Sequence, residues 1–287
     1  MLSKILLSLR SIINPYAKEE VKVKKIKKLQ GSINKRQKFI ISVLILSSEL
    51  LLSEYFFRGY TVFFACLLAV CTDILLFISL YEDLKEELTI QVFILPFLCS
   101  LAFGLFYFLT PARFLSRVVL TSLYAIAIYS LFLSENIFLV ASIRTIALIN
   151  SARIVTFVIT LVSYFFLTSI IFSFRVPFLP TILLFFFFSL LFIYQALWAY
   201  TLEKTLLQNK EWVFVIAVCI VELATVLWFW PTSPTVLALF LTAAFYIFTG
   251  LSHAWLDRRL FRGVIWEYAW VGVFAGIILL WFSHWQG

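Results

Sequence analysis

Carboxylates and guanidinium groups set inside apolar runs are the residues of this sequence best able to do chemistry. Glu222 lies near the middle of the run 211–230, Asp73 within 60–81 and Glu49 within 39–56. An ionised carboxylate at the centre of a bilayer costs about 3 kcal/mol even on lenient insertion scales, and a side chain as short as Glu snorkels poorly from mid-depth. Each of the three is therefore expected to be a neutral acid bonded to a neighbouring helix, or a site for a proton or cation. A second feature is the set Arg153, Thr156, Thr160, Ser163 and Tyr164. Offsets of 3, 7, 10 and 11 put these groups on one helical face, a polar ribbon running from the inner surface toward mid-membrane. Such a ribbon packs helices closely or lines a cavity. Arg144, Asn150 and Arg153 are candidates for holding lipid phosphate, with plain basic anchoring as the alternative.

Other constellations carry less. His253 is followed by Asp257 one turn on, and His284 belongs to the opposite face, so the two histidines make no metal site. Cys66, Cys71, Cys99 and Cys219 lie inside spans at spacings unsuited to a metal or redox pair and read as small buried hydrophobes. Glu82, Asp83, Glu86 and Glu87 around Lys85 read as a solvated turn, and Glu54 beside the first outer loop is too isolated to define a site. Gly272 and Gly276 form a GxxxG pair that lets another helix approach. There is no G-x-x-x-x-G-K-[ST], H-E-x-x-H or G-x-S-x-G run and no paired Asp-rich motif for Mg²⁺-pyrophosphate. No metal, cofactor or internal repeat is expected.

The elements that must position these residues follow from composition. The 287 residues are 63% hydrophobic and 13% charged, with a mean hydropathy of +1.03. Soluble domains average about 45–50% apolar and about 25% charged. With only 7 Pro, 8 Gly and 4 Cys, disordered and disulfide-stapled classes are excluded as well. The sequence predicts an all-α, polytopic transmembrane helical bundle. A basic leader spans 1–38, and a single membrane domain fills 39–287. About nine spans are expected, over roughly 39–56, 60–81, 90–109, 114–133, 154–174, 178–200, 211–230, 235–255 and 264–284.

The leader gathers 11 of the 23 Lys and Arg residues. Its first part places Leu2, Ile5, Leu6, Leu9, Ile12 and Ile13 on one helical face and closes at Pro15, which predicts an amphipathic interfacial helix rather than a signal peptide. Membrane lipids with anionic headgroups are its expected partners. Nucleic acid is not, because aromatic residues do not interleave with the basic ones. With the N-terminus cytoplasmic, all Lys and Arg except Arg58, Arg113, Arg117 and Arg175 fall on the inner side and the C-terminus lies outside. The plasma membrane is the expected location. Residues 135–153 are apolar enough to tempt a further crossing. A crossing there would invert Asp257, Arg258, Arg259 and Arg262, so the segment is read as interfacial or partly re-entrant, or as a helix bent into the fifth span.

All nine Trp fall in the last 90 residues, mostly at span edges, as the headgroup boundary favours. The 33 Phe read as packing bulk. Two functions fit. One is a non-enzymatic integral membrane protein, a small transporter-like bundle or a membrane-embedded assembly partner, with Glu222 and the Arg153–Tyr164 ribbon turned inward. The alternative is an intramembrane enzyme on a lipid-linked or phosphate-bearing substrate, which requires a carboxylate and an arginine within reach of one cavity.

Overall fold

The computed structural model describes residues 34–56, 60–84, 90–111, 113–141, 148–202 and 210–283. The expected interfacial helix of the leader, Arg144, Glu86, Glu87 and His284 lie outside the described residues. Long apolar runs become helices because a backbone in hydrocarbon must satisfy its own N–H and C=O groups. Among the described residues nine helices follow in order: α1 (Lys35–Phe56), α2 (Thr61–Leu84), α3 (Gln91–Leu109), α4 (Phe114–Ala141), α5 (Ile149–Ser173), α6 (Phe178–Thr201), α7 (Lys210–Trp228), α8 (Pro234–Leu256) and α9 (Arg262–Trp281). Among the described residues there is no strand. Eight helices, α2 to α9, are long and apolar enough to cross a membrane. The expected first span falls in α1, which opens on Lys35, Arg36 and Lys38 and is not among the eight.

Prolines sit where helices tolerate them. Pro234 opens α8 and Pro180 is in the first turn of α6, where no intrahelical N–H bond is lost; among the described residues α3 alone runs through an internal proline, Pro96. The segment 135–153 departs from expectation. Residues 135–141 simply continue α4, a helix of 28 residues, while Asn150 and Arg153 already belong to α5. Among the described residues, no separate interfacial helix is found in 135–153. Glu135, the first residue of that stretch, is fully buried inside α4.

Successive helices pack against one another and, being joined by short connections, run antiparallel. α5 is the hub, touching α3, α4, α6 and α8. α3 is 61% buried along its span, whereas α9 is 11% buried and shares an extended interface only with α8. Alternation gathers Lys35, Arg36, Lys38, Arg153, Lys210, Arg258, Arg259 and Arg262 at one end, called here the basic end, and Arg113, Arg117 and Arg175 at the other. The outward faces carry Leu44, Phe63, Leu183, Phe214 and Phe274, whereas hydroxyls such as those of Thr72, Ser100, Tyr124, Ser163 and Tyr164 turn inward. That distribution suits a hydrocarbon solvent and marks an integral membrane protein.

Hydroxyl bonds knit the interior. Thr72 of α2, Ser100 of α3 and Tyr124 of α4 meet at 2.7 Å (Thr72–Ser100) and 3.0 Å (Ser100–Tyr124), joining three helices in one buried cluster. Tyr124→Phe is expected to lower stability by about 1 kcal/mol, since interhelical hydrogen bonds in membranes contribute on that scale. A denaturant titration of the purified protein that shows no change would remove this cluster from the list of helix fasteners.

Candidate functional site

At the basic end, the first two turns of α5 face the last turns of α6 and α8. The period of the α5 ribbon places Arg153, Thr156 and Thr160 toward this junction, and together with Phe157, Tyr200 and His253 they line a cavity of about 130 Å³. Tyr200 and His253 lie 47 and 100 residues beyond Arg153 in the chain, so only the fold brings them to it.

Arg153 is anchored twice on α6. Its Nη2 donates to the Tyr200 carbonyl at 2.5 Å, and the guanidinium lies over the Tyr200 ring at 4.7 Å. The carbonyl is one of the last four of α6, which have no intrahelical donor and carry the negative end of the helix dipole, so a cation there is doubly favoured. α6 stops just beyond, at Leu202 in the left-handed conformation (φ 52°), its N–H closing back onto the Trp198 carbonyl.

The other wall is aromatic. The His253 imidazole stacks on Tyr200 at 4.4 Å between ring centres and 8° between planes, and Phe157 meets it edge-on at 5.6 Å. His253 Nε2 donates to the Ala196 carbonyl at 3.2 Å; because a carbonyl only accepts, the proton must reside on Nε2. Tyr200 donates its hydroxyl to the Asp257 carboxylate at the end of α8. Asp257 is thereby engaged, and Arg153 and Arg259 both act electrostatically on the same hydroxyl. The junction carries an excess of positive charge.

Two polar atoms facing this cavity have no hydrogen-bond partner among the described residues: Nε of Arg153 and the hydroxyl of Thr156. Thr156 is 2% exposed. Buried donors are normally paired, so this geometry suits an acceptor-rich group such as phosphate or carboxylate. Depth fits as well. Trp212 at the start of α7 and Trp255 at the end of α8 pack at 4.8 Å and are both exposed, the position that indole rings take at a headgroup boundary.

The remaining sequence candidates disperse. Ser163 and Tyr164 continue the ribbon deeper, both fully buried; Tyr164 pairs with Ser189 of α6 at 2.9 Å and stacks on Phe245 of α8 at 4.4 Å, so this half of the ribbon packs helices. Asn150 is exposed at the start of α5. Glu49 of α1 faces Cys71 of α2, and Asp73 of α2 is half-buried with an unpaired Oδ1; neither lines the cavity. Glu222, expected to face inward, is exposed on the outer surface of α7. Hydropathy fixes the depth of such a residue but not the side of the helix on which it lies. The expectation of buried cysteines holds for Cys99 alone: Cys66 is exposed, and Cys71 and Cys219 are half-buried. Of the GxxxG pair, Gly272 meets Ile247 of α8, while Gly276 has nothing within 4 Å of an added Cβ.

Sequence reasoning missed two members of the site and two buried polar groups near it. Tyr200 gave no signal, being one of 12 tyrosines at the end of a span, and His253 was visible only through its spacing to Asp257. Glu135 and Gln195, both 0% exposed and with all side-chain oxygen and nitrogen atoms unpaired among the described residues, were masked by the reading of 135–153 and by an otherwise apolar α6. They stand one turn before Phe138 and Trp198, whose rings meet at 6.1 Å between α4 and α6.

No curated protein and no solved structure matches the chain. A family model does, over residues 39–282, which covers every helix described above from its apolar start. By that match the chain belongs to the family described as "Protein of unknown function (DUF5656)".

Proposed function

We propose that this protein is a non-enzymatic, membrane-embedded binder of an anionic, phosphate-bearing amphiphile, a small transporter-like bundle that grips its ligand at the Arg153 cavity on the cytoplasmic side. The observation that carries the reading is the Arg153 guanidinium. It is held in place by the Tyr200 carbonyl and ring, while its Nε and the hydroxyl of Thr156, which lines the same cavity, have no partner among the described residues. A preformed fork of donors at headgroup depth recognises a phosphate oxygen without reorganising. The Lys and Arg residues of the N-terminal leader would attract such anionic ligands. The carboxylates that an enzymatic reading needs, Glu49, Asp73 and Glu222, do not line this cavity, and Asp257 is taken up by Tyr200.

The test compares phosphatidic acid with diacylglycerol, which lacks the phosphate, on the full-length protein in detergent. Wild-type protein is expected to bind phosphatidic acid preferentially, and Arg153→Gln to weaken that binding at least about tenfold, about 1.4 kcal/mol. Arg153→Lys should fall between, because an ammonium keeps the charge but not the fork. Equal binding by the wild type and Arg153→Gln overturns the reading.

A further inference from the structure

Beside the Arg153 cavity, on the other flank of α5, α4 and α5 diverge around an apolar groove of about 350 Å³. Ile154, Val158 and Val162 of α5 and Leu123 and Ile126 of α4 form its walls, and Phe103 of α3, 1% exposed, closes its floor. Ser130 is the one hydroxyl among the lining residues. Ile154 lines both the groove and the Arg153 cavity and is 67% exposed, so the two spaces lie on either side of one exposed side chain. From Ile154 to Val162 the groove follows α5 for about 12 Å, a little under half of the ~30 Å hydrocarbon thickness and hence about one leaflet deep.

We infer that this groove takes an acyl chain of the amphiphile whose phosphate is held at Arg153, so that the ligand is a long-chain lipid phosphate straddling α5 at Ile154, not a water-soluble anion. The inference rests on the headgroup reading above. The adjacency of the two spaces at Ile154 argues for it, together with their match in chemistry: donors and positive charge at the basic end, then an apolar groove that begins where a chain leaving the headgroup would enter hydrocarbon. A free phosphate would use only the first space. An annular lipid would use the groove without regard to its headgroup.

The experiment uses full-length protein in detergent and two probes, phosphatidic acid and glycerol 3-phosphate, which share the phosphate and differ in the chains. Wild-type protein should bind phosphatidic acid at least about tenfold more tightly than glycerol 3-phosphate. Val158→Trp, which fills the groove at an exposed wall residue, should bring the affinity for phosphatidic acid down toward that for glycerol 3-phosphate; Ala127→Phe fills it from α4 should the first variant fail to fold. Val215→Trp, on the exposed face of α7, should leave both affinities at wild-type values. Unchanged phosphatidic acid binding in the groove-filled variants, with Arg153→Gln still weakening it, overturns the acyl-chain inference and leaves the headgroup reading standing. Equal wild-type affinities for the two probes likewise overturn the inference alone. Indifference of both probes to Arg153→Gln overturns the headgroup reading and this inference with it.

Discussion

Replacing Gly104 by leucine will cost the bundle about 3 kcal/mol, enough to leave little folded protein in detergent at moderate temperature. The reason is the closeness of α2 and α3. A Cβ built on Gly104 already stands 3.2 Å from the Cβ of Ala65 and 3.3 Å from its Cα. The latter is backbone, which cannot rotate aside, so each further carbon of leucine must be accommodated by moving α2. Helix association in a membrane relies on van der Waals packing between small residues, and separating two backbones forfeits it along the whole contact. Gly104→Ala should cost less, about 1 kcal/mol, because a shift of a few tenths of an ångström relieves it. Gly276→Leu, open on all sides, should stay within about 0.5 kcal/mol of the wild type. Unfolding titrations of the three variants side by side test this ordering, and a Gly104→Leu protein as stable as Gly276→Leu contradicts it.

The second large effect has the opposite sign. Glu135 is 0% exposed in α4, and neither of its carboxyl oxygens has a hydrogen-bond partner among the described residues. A buried polar group left unpaired forfeits its desolvation free energy, so an apolar side chain of similar size is expected to be better tolerated. Glu135→Leu should therefore stabilise the protein by about 1–3 kcal/mol, seen as a raised midpoint in the same titrations. Glu135→Lys, which puts a longer and harder-to-neutralise charge at the same place, should destabilise by more than that gain. A loss of stability in Glu135→Leu would reveal that the carboxyl is bonded after all. A gain identifies Glu135 as a residue held at a cost to the fold, as groups at functional sites often are.

What the sequence could convey divides along physical lines. Hydropathy locates apolar runs, and eight of the nine expected spans appear as helices able to cross a membrane because a bilayer leaves a long apolar run no other regular structure. Helical period reports which residues share a face, and the ribbon from Arg153 to Tyr164 is buried along its length except at Arg153, which is half-buried. Neither property says what stands opposite that face. Tyr200 and His253 reach Arg153 through packing of α6 and α8 on α5, which no local pattern encodes. For Glu222 the same gap works in reverse: its depth was legible, while its outward direction depends on which side of α7 meets α6 and α8. Residues 135–141, read as the start of an interfacial segment, continue α4, and hydropathy gave no sign that Glu135 there is fully buried.

The residues that line the Arg153 cavity all come from α5, α6 and α8. The last helix borders α8 alone over any length, with Tyr268 seated against the notch at Gly250, and its far end is tied by Thr232 and Trp230 to Phe282 and Ser283. Chains emerge from the ribosome N-terminus first. The cavity can thus be complete while α9 is still being synthesised, and local opening of α9, the least enclosed of the eight membrane-crossing helices among the described residues, leaves the cavity lining in place.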